Sequence, residues 1–201
     1  MLMRKGSPSH AGARARGLTL LELVIALAMM AILMRLAAPS FTTWTRNAQV
    51  RSVADALQNA LRAAQAEAVR RSRQVVFSLT DDTPGDASSA AVNGRNWALH
   101  VVPLPTEALQ FVQGGQFGDV AEGVTIAGPA ALCFNAIGRR VANAAPGVAG
   151  ASCNLADALV VYDIARAGAD RPLRVTVGLG GQVRMCDPNR SLAAGQPEAC
   201  S

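Results

Sequence analysis

The chain is poor in the residues that build metal centres and catalytic sites. Its 201 residues include only two histidines, His10 and His100, and its four cysteines form no Cys-x2-Cys pair. Zinc sites commonly combine such pairs with closely spaced histidines. No nucleophile stands in a convincing set with a histidine and an acid, and no glycine-rich phosphate loop follows a strand pattern. We therefore expect a protein that is not an enzyme and needs no metal or other cofactor.

The remaining polar candidates favour structural roles. Asp81, Asp82 and Asp86 fall in a stretch rich in proline, glycine and serine, which predicts a loop. Such a run of acids is typical of a solvated surface, with calcium binding as the alternative. His100 falls in a predicted strand, where a structural histidine is the simpler interpretation than a general base.

Acidic residues are absent from residues 1–17, which carry Arg4, Lys5, Arg14 and Arg16. Without these four, the formal net charge of +5 falls to +1, from 15 basic against 14 acidic residues. The basic balance therefore belongs mainly to this leader and does not indicate a nucleic-acid-binding domain. Positive residues tend to stay on the cytoplasmic side of a membrane segment, which predicts that the chain beyond the leader is exported.

One carboxylate, Glu22, stands at the start of an apolar run. Every residue over 23–34 is apolar, and Arg35 interrupts the run before Leu36. About 20 apolar residues cross a bilayer, and an ionised glutamate inside such a span costs roughly 2.5–3.5 kcal/mol or more. Two interpretations are open. The chain could be cut between Gly17 and Leu18, or it could keep its leader as a bitopic anchor in which Glu22 reaches the interface.

The motif Gly17-Leu18-Thr19-Leu20-Leu21-Glu22, with the apolar run and Pro39 after it, resembles the class III signal of type IV pilins and type II secretion pseudopilins. The resemblance implies cleavage after Gly17 by a prepilin peptidase, methylation of Leu18, an assembly role for Glu22 and a helix kink at Pro39. Leu18 replaces the usual phenylalanine, and Arg35 is uncommon at its place. The implied segments are a cleaved leader (1–17), a transmembrane and assembly helix (18–38), its exported continuation (39–73) and a β-rich domain (74–201).

Hydrophobic periodicity predicts the fold beyond the anchor. Apolar residues recur at helical spacing from Val50 to Ala68, so the helix should run from about Leu18 to Arg71. After Arg73 the period becomes two. The predicted strands cover residues 74–79, 97–102, 109–112, 123–127, 132–135, 159–164, 173–177 and 182–186. The fold class is α+β and pilin-like, with a long N-terminal helix packed on an antiparallel β-sheet domain.

Two hairpin sequences narrow the family. The stretches CFNAIGRR, turned near Gly138, and RVTVGLGGQVRMCDP, turned at Gly180-Gly181, are similar to the GspH/FimT group of minor pseudopilins and minor pilins. The resemblance implies a single-pass protein of the bacterial inner membrane, with a cytoplasmic N-terminus and a periplasmic C-terminal domain. Inner-membrane lipid would surround its helix before it joins other minor and major pilins or pseudopilins, in the initiating or tip complex of a type IV pilus or a type II secretion pseudopilus.

Four cysteines, Cys133, Cys153, Cys186 and Cys200, all lie in the predicted exported part. An even number in an oxidising compartment predicts two disulfides, with three possible connectivities. Pairing of nearest neighbours would join Cys133 to Cys153 and Cys186 to Cys200. Free thiols or a metal site are the alternatives.

Some FimT-type members bind DNA through a Gly-Arg-x-Arg sequence near the C-terminus, and DNA uptake is the alternative function. The corresponding residues here are Gly181-Gln182-Val183-Arg184. Glutamine cannot neutralise a phosphate, so it supplies no counterion release. Candidate contacts for DNA or a partner protein are Arg139, Arg140, Arg184 and Arg190.

Overall fold

The computed structural model describes residues 19–190, 195 and 198–200, without the side chains of residues 36–39. Gly17 and Leu18, the predicted processing site, lie outside the described residues, as does the side chain of Pro39. The chain divides into two compact units, Met1–Ser40 and Phe41–Ser201.

The first helix, α1 (Leu20–Arg71), has a defined start and end. The backbone N–H of Glu22 donates to the Thr19 hydroxyl at 3.2 Å, which is an N-cap bond. At the other end Ser72 takes a left-handed φ of 52°, while Ser72 and Arg73 donate to the carbonyls of Val69 and Ala68. These two bonds form a Schellman motif. The predicted end at Arg71 is confirmed.

By length and hydropathy, no single helix among the described residues qualifies as a membrane span. The segments Leu20–Arg35 and Ser40–Arg71 meet the same test only when they are taken together as a broken pair.

Eight strands and a one-turn helix, α2 (Phe117–Val120), follow within the described part of the second unit. The strands form two antiparallel sheets, with the orders β3-β2-β1-β5 and β4-β6-β7-β8. Their bounds are β1 (Val75–Thr80), β2 (Asn96–Val101), β3 (Gln110–Gln116), β4 (Val124–Ala127), β5 (Ala131–Phe134), β6 (Leu159–Arg166), β7 (Leu173–Gly178) and β8 (Val183–Cys186). All eight predicted strands are confirmed, although β3 extends to Gln116 and the division into two sheets was not predicted.

The main core lies between α1 and both sheets. The predicted apolar stripe of α1 is buried there, and it packs with side chains from one face of each sheet. Phe77 on β1 meets Tyr162 on β6 edge to face, with ring centroids 6.2 Å apart, so the two sheets share one core. The α1 residues that are fully or almost fully buried are Val50, Val53, Ala54, Leu57, Ala60, Leu61, Ala64 and Ala68.

A second, smaller core covers the other face of β1. Val76 packs there with Ala131, Val148 and the disulfide between Cys133 and Cys153. The loop after β5 is thereby held against the sheet, and its residue Asn143 exchanges two backbone hydrogen bonds with Cys153. Every residue of β1 is buried as a result.

Both disulfides join nearest neighbours in the sequence, Cys133 to Cys153 and Cys186 to Cys200. The two bonds differ in accessibility. Cys133 and Cys153 are 1 % and 3 % exposed, whereas Cys186 and Cys200 are half-buried. The second disulfide attaches the C-terminal tail to the end of β8.

We expect mild reduction of the native protein to open the Cys186–Cys200 disulfide first, because exchange requires an attacking thiolate to reach a sulfur atom. Differential alkylation followed by peptide mapping measures the order. The Cys133–Cys153 disulfide should stay closed until urea unfolds the domain. Simultaneous loss of both bonds under native conditions would contradict this expectation.

Candidate functional site

The described helix of the first unit presents an apolar surface with one acidic residue. Glu22 lies in its first turn and Arg35 near the end of its described side chains. The large apolar side chains of this segment are all at least 47 % exposed: Leu20, Leu21, Leu23, Val24, Ile25, Leu27, Met29, Met30, Ile32, Leu33 and Met34. An exposed apolar patch of this extent marks a surface for lipid or for other proteins.

Glu22 also has a local role in the helix. Thr19-x-x-Glu22 is a capping-box sequence, and the bond from the Glu22 N–H to the Thr19 hydroxyl forms one half of that motif. Its carboxylate stands near the positive end of the helix dipole. Within the part of the chain that the structure describes, no side chain pairs with this carboxylate. A partner from a second molecule can therefore approach it.

The turns of the two hairpin sequences meet on α1. The Gln65 amide donates to the carbonyl of Gly138 at 2.8 Å. Gly181 has a φ of 87°, and a Cβ placed on it would lie 2.0 Å from the Gly138 carbonyl oxygen. Only glycine permits so close an approach of the two turns. This junction fixes both hairpin turns against one helix residue.

The first hairpin is confirmed, with a turn near Gly138 and a short second arm, residues 139–141, that returns along β5. Asn135 donates to the Arg139 carbonyl at 2.9 Å, and Phe134 and Arg140 form an isolated antiparallel bridge. The backbone N–H of Arg140 then donates to the carbonyl of Leu179 at 3.1 Å. The Val141 N–H donates to the Cys133 carbonyl at 3.0 Å, so the arm stays paired with β5 while its other edge contacts the chain after β7.

Arg140 is buried, so its prediction as a surface contact for DNA or a partner is wrong. The residue is 5 % exposed. Its guanidinium donates to the carbonyls of Val177 at 3.1 Å and Asp157 at 3.2 Å, and more weakly to those of Asn154 and Ala158 at 3.4 Å. The side chain thus binds backbone acceptors in the segment before β6 and in β7.

The hairpin register contained a signal for this burial. Residues opposite each other in an antiparallel pair present their side chains on the same face. Arg140 stands opposite Phe134, which is fully buried.

Next to them, burial raises the pKa of the Tyr162 phenol far above its usual value and lowers the pKa of Arg140. Of the two adjacent arginines, Arg139 is therefore exposed and Arg140 is buried.

The other candidate arginines differ in whether an acidic side chain compensates their charge. Arg190 forms ion pairs with Asp187 at 3.3 Å and Glu198 at 3.4 Å, so its charge is compensated. Arg139 and Arg184 are exposed. Arg184 lines a cavity of about 400 Å³ together with Arg62 of α1. Neither of these two forms an ion pair with another described residue, and two such charges give a small counterion-release contribution to any binding of nucleic acid.

Asp82, Asp86 and His100 make hydrogen bonds that hold the loop between β1 and β2 in place. Asp82 accepts bonds from the hydroxyl and N–H of Ser89, which lower the pKa of its carboxyl. Asp86 accepts the N–H of Phe111 at 3.1 Å. The His100 Nε2 lies 3.0 Å from the Gly85 carbonyl oxygen, and burial lowers the pKa of its ring. Among the described residues, no group of three or more His, Cys, Asp or Glu could hold a metal ion.

Comparisons with known families give two matches. A family model described as Type II transport protein GspH matches residues 53–181. A model described as Prokaryotic N-terminal methylation motif matches residues 12–34. A search of the curated proteins finds no match.

The solved structures that match this chain include a type IV minor pilin and a minor pseudopilin. The type IV minor pilin FimU of Pseudomonas aeruginosa is 17% identical with a TM-score of 0.50, over 73% of this chain and 97% of that one. The minor pseudopilin EpsH of Vibrio cholerae is 15% identical, with a TM-score of 0.46, over 71% of this chain and 99% of that one. E. coli GspH is 15% identical, with a TM-score of 0.43, over 70% of this chain and 89% of that one. The FimU match shows the fold.

We expect Arg140→Ala to lower the free energy of unfolding by about 2–4 kcal/mol, because it leaves buried carbonyls without donors. Urea denaturation of the full chain in detergent measures the change. The matched control is Arg139→Ala, which removes an exposed neighbour and should stay within about 0.5 kcal/mol of the wild type. Equal effects of the two substitutions would contradict the structural role of Arg140.

Proposed function

Because this chain belongs to the GspH family of type II transport proteins, we propose that it is a minor subunit of a type IV pilus or of a type II secretion pseudopilus. The family and the pilin-like fold predicted from the sequence are confirmed. One observation carries the proposal. The methylation motif at residues 12–34 overlaps the start of a helix whose apolar side chains are exposed and whose first turn holds a single acid, Glu22.

The methylation motif implies processing by a prepilin peptidase. We place the cut between Gly17 and Leu18, so that the leader with its four basic residues is removed and Leu18 becomes the methylated N-terminus. The apolar helix stays in the mature protein and holds it in the inner membrane, with the β-rich domain on the periplasmic side. Arg35 is near the far end of the apolar run, where its long side chain can reach lipid headgroups.

We expect intact-mass analysis of the protein extracted from membranes to give a chain that begins at methylated Leu18. Gly17→Val places a branched side chain directly before the proposed cut and should retain all of residues 1–17. Wild-type protein purified without peptidase is the matched reference. A mature wild-type chain that still contains Arg4 would refute the processing site.

Glu22 supplies the specificity of assembly in this proposal. While the subunit is alone in the bilayer, an ionised Glu22 costs roughly 2.5–3.5 kcal/mol or more. In the filament it meets the positively charged N-terminal amine of a neighbouring subunit. Such pairs need not add large net stability, but they favour one register. The exposed apolar side chains around it pack against neighbouring helices without specifying that register.

We expect Glu22→Ala to be processed normally and to enter the filament poorly, because the neighbour's amine loses its partner. The yield of the subunit in sheared and purified filaments measures incorporation. Thr19→Ala is the matched control, since it removes the N-cap hydroxyl and keeps the carboxylate. Normal incorporation of Glu22→Ala, or an equal defect in both variants, would exclude a charge-specific role.

The β-rich domain contributes surface for other minor subunits, in the initiating or tip complex. Members of the family are structural subunits. We propose that this chain likewise acts by binding other subunits and catalyses no reaction. DNA uptake has weaker support. Gln182 replaces an arginine, Arg140 is internal and Arg190 is compensated, so Arg139 and Arg184 alone remain of the predicted contacts.

A further inference from the structure

An aromatic pair stands exposed on α1 at the start of the second unit. Phe41 is 65 % and Trp44 66 % exposed. Their rings contact each other, with centroids 5.9 Å apart. They lie three residues apart and therefore share one face of the helix. Two adjacent exposed aromatic side chains form an apolar patch, whereas single exposed apolar residues need no explanation.

The side chains around this pair fix its outward orientation. The Asn47 amide donates to the Asp170 carboxylate at 2.5 Å, and its oxygen accepts the N–H groups of Asp170 and Arg171 at 3.1 and 3.2 Å. Gln49, farther along the helix, bonds to Arg166. The turn between β6 and β7 thus holds this part of α1 through polar bonds. The helix cannot rotate Phe41 and Trp44 toward the sheets without breaking those bonds.

The position of the pair in the sequence matches the far boundary of a bilayer. A helix crosses the hydrocarbon in about 20 residues, so a span that starts at the level of Glu22 ends near residue 42. Tryptophan is enriched at this boundary, where its ring is apolar and its indole N–H can bond to headgroups. No acidic residue lies between Glu22 and Asp55. This stretch therefore carries no charge that anionic headgroups would repel.

We propose that Phe41 and Trp44 insert into the headgroup region of the periplasmic leaflet before assembly and set the depth at which the domain stands on the membrane. The inference rests on the proposed function, since it takes the Glu22 end of the helix as cytoplasmic. Because Asn47 and Gln49 bind the turn of the domain, the depth of the aromatic pair also sets the depth of that turn. The occupant of the patch is phospholipid.

The two tryptophans of the chain allow a direct test. Trp97 lies half-buried on β2, in the second unit's own structure. The full chain is reconstituted into vesicles of phosphatidylcholine and phosphatidylglycerol that carry bromine atoms at either a shallow or a deep position. Trp97→Phe leaves Trp44 as the single fluorophore, and Trp44→Phe is the matched control. Subtracting the control spectrum from that of the wild type gives the Trp44 emission without any change at Trp97.

We expect shallow bromines to reduce Trp44 emission to about half, deep bromines to reduce it less, and neither to affect Trp97, as interfacial placement requires. Absence of quenching in a protein that resists carbonate extraction would overturn the inference and leave the anchor intact. Stronger quenching by deep bromines would overturn it as well, since the ring would then lie in hydrocarbon. Release of the protein by carbonate would overturn both the inference and the proposed anchor.

Discussion

The buried guanidinium of Arg140 is the constraint on which the arrangement of the domain depends. A cation placed in a protein interior needs several acceptors to replace its lost hydration, and here four backbone carbonyls supply them. Those carbonyls belong to β7 and the segment before β6, while Arg140 lies on the chain that returns along β5 after the hairpin turn. The two sheets and the connection between them are therefore specified by one polar cluster, in addition to their shared apolar core. The Gly138–Gly181 contact then fixes the neighbouring turns on Gln65.

Local patterns predicted the elements of this fold well, because they depend on residues close in sequence. The stripe from Val50 to Ala68 defined the second half of α1, and alternation after Arg73 defined β1. The division into two sheets could not be predicted in that way, since β5 pairs with β1 across more than fifty residues. Such pairings depend on the whole core.

The candidate site was predicted unevenly for a related reason. Glu22 stands out because the residues on either side of it are apolar, so the sequence alone identifies it. Arg139 and Arg140 look equivalent in sequence, and only the partner strand distinguishes the exposed residue from the buried one. The aromatic pair Phe41 and Trp44 carries no motif, and its importance depends on exposure, which the sequence alone does not give.

Neither disulfide includes a residue of α1. The two bonds close short separations of 20 and 14 residues, both within the part of the chain after Arg71. Apart from the peptide chain between Arg71 and Val75, tension applied along the helix when a filament is pulled therefore reaches the sheets through non-covalent contacts, such as those of Asn47, Gln65 and the buried stripe. Oxidation of the cysteines therefore adds no covalent link between α1 and the sheets, and the packing of the helix alone resists its being peeled from them.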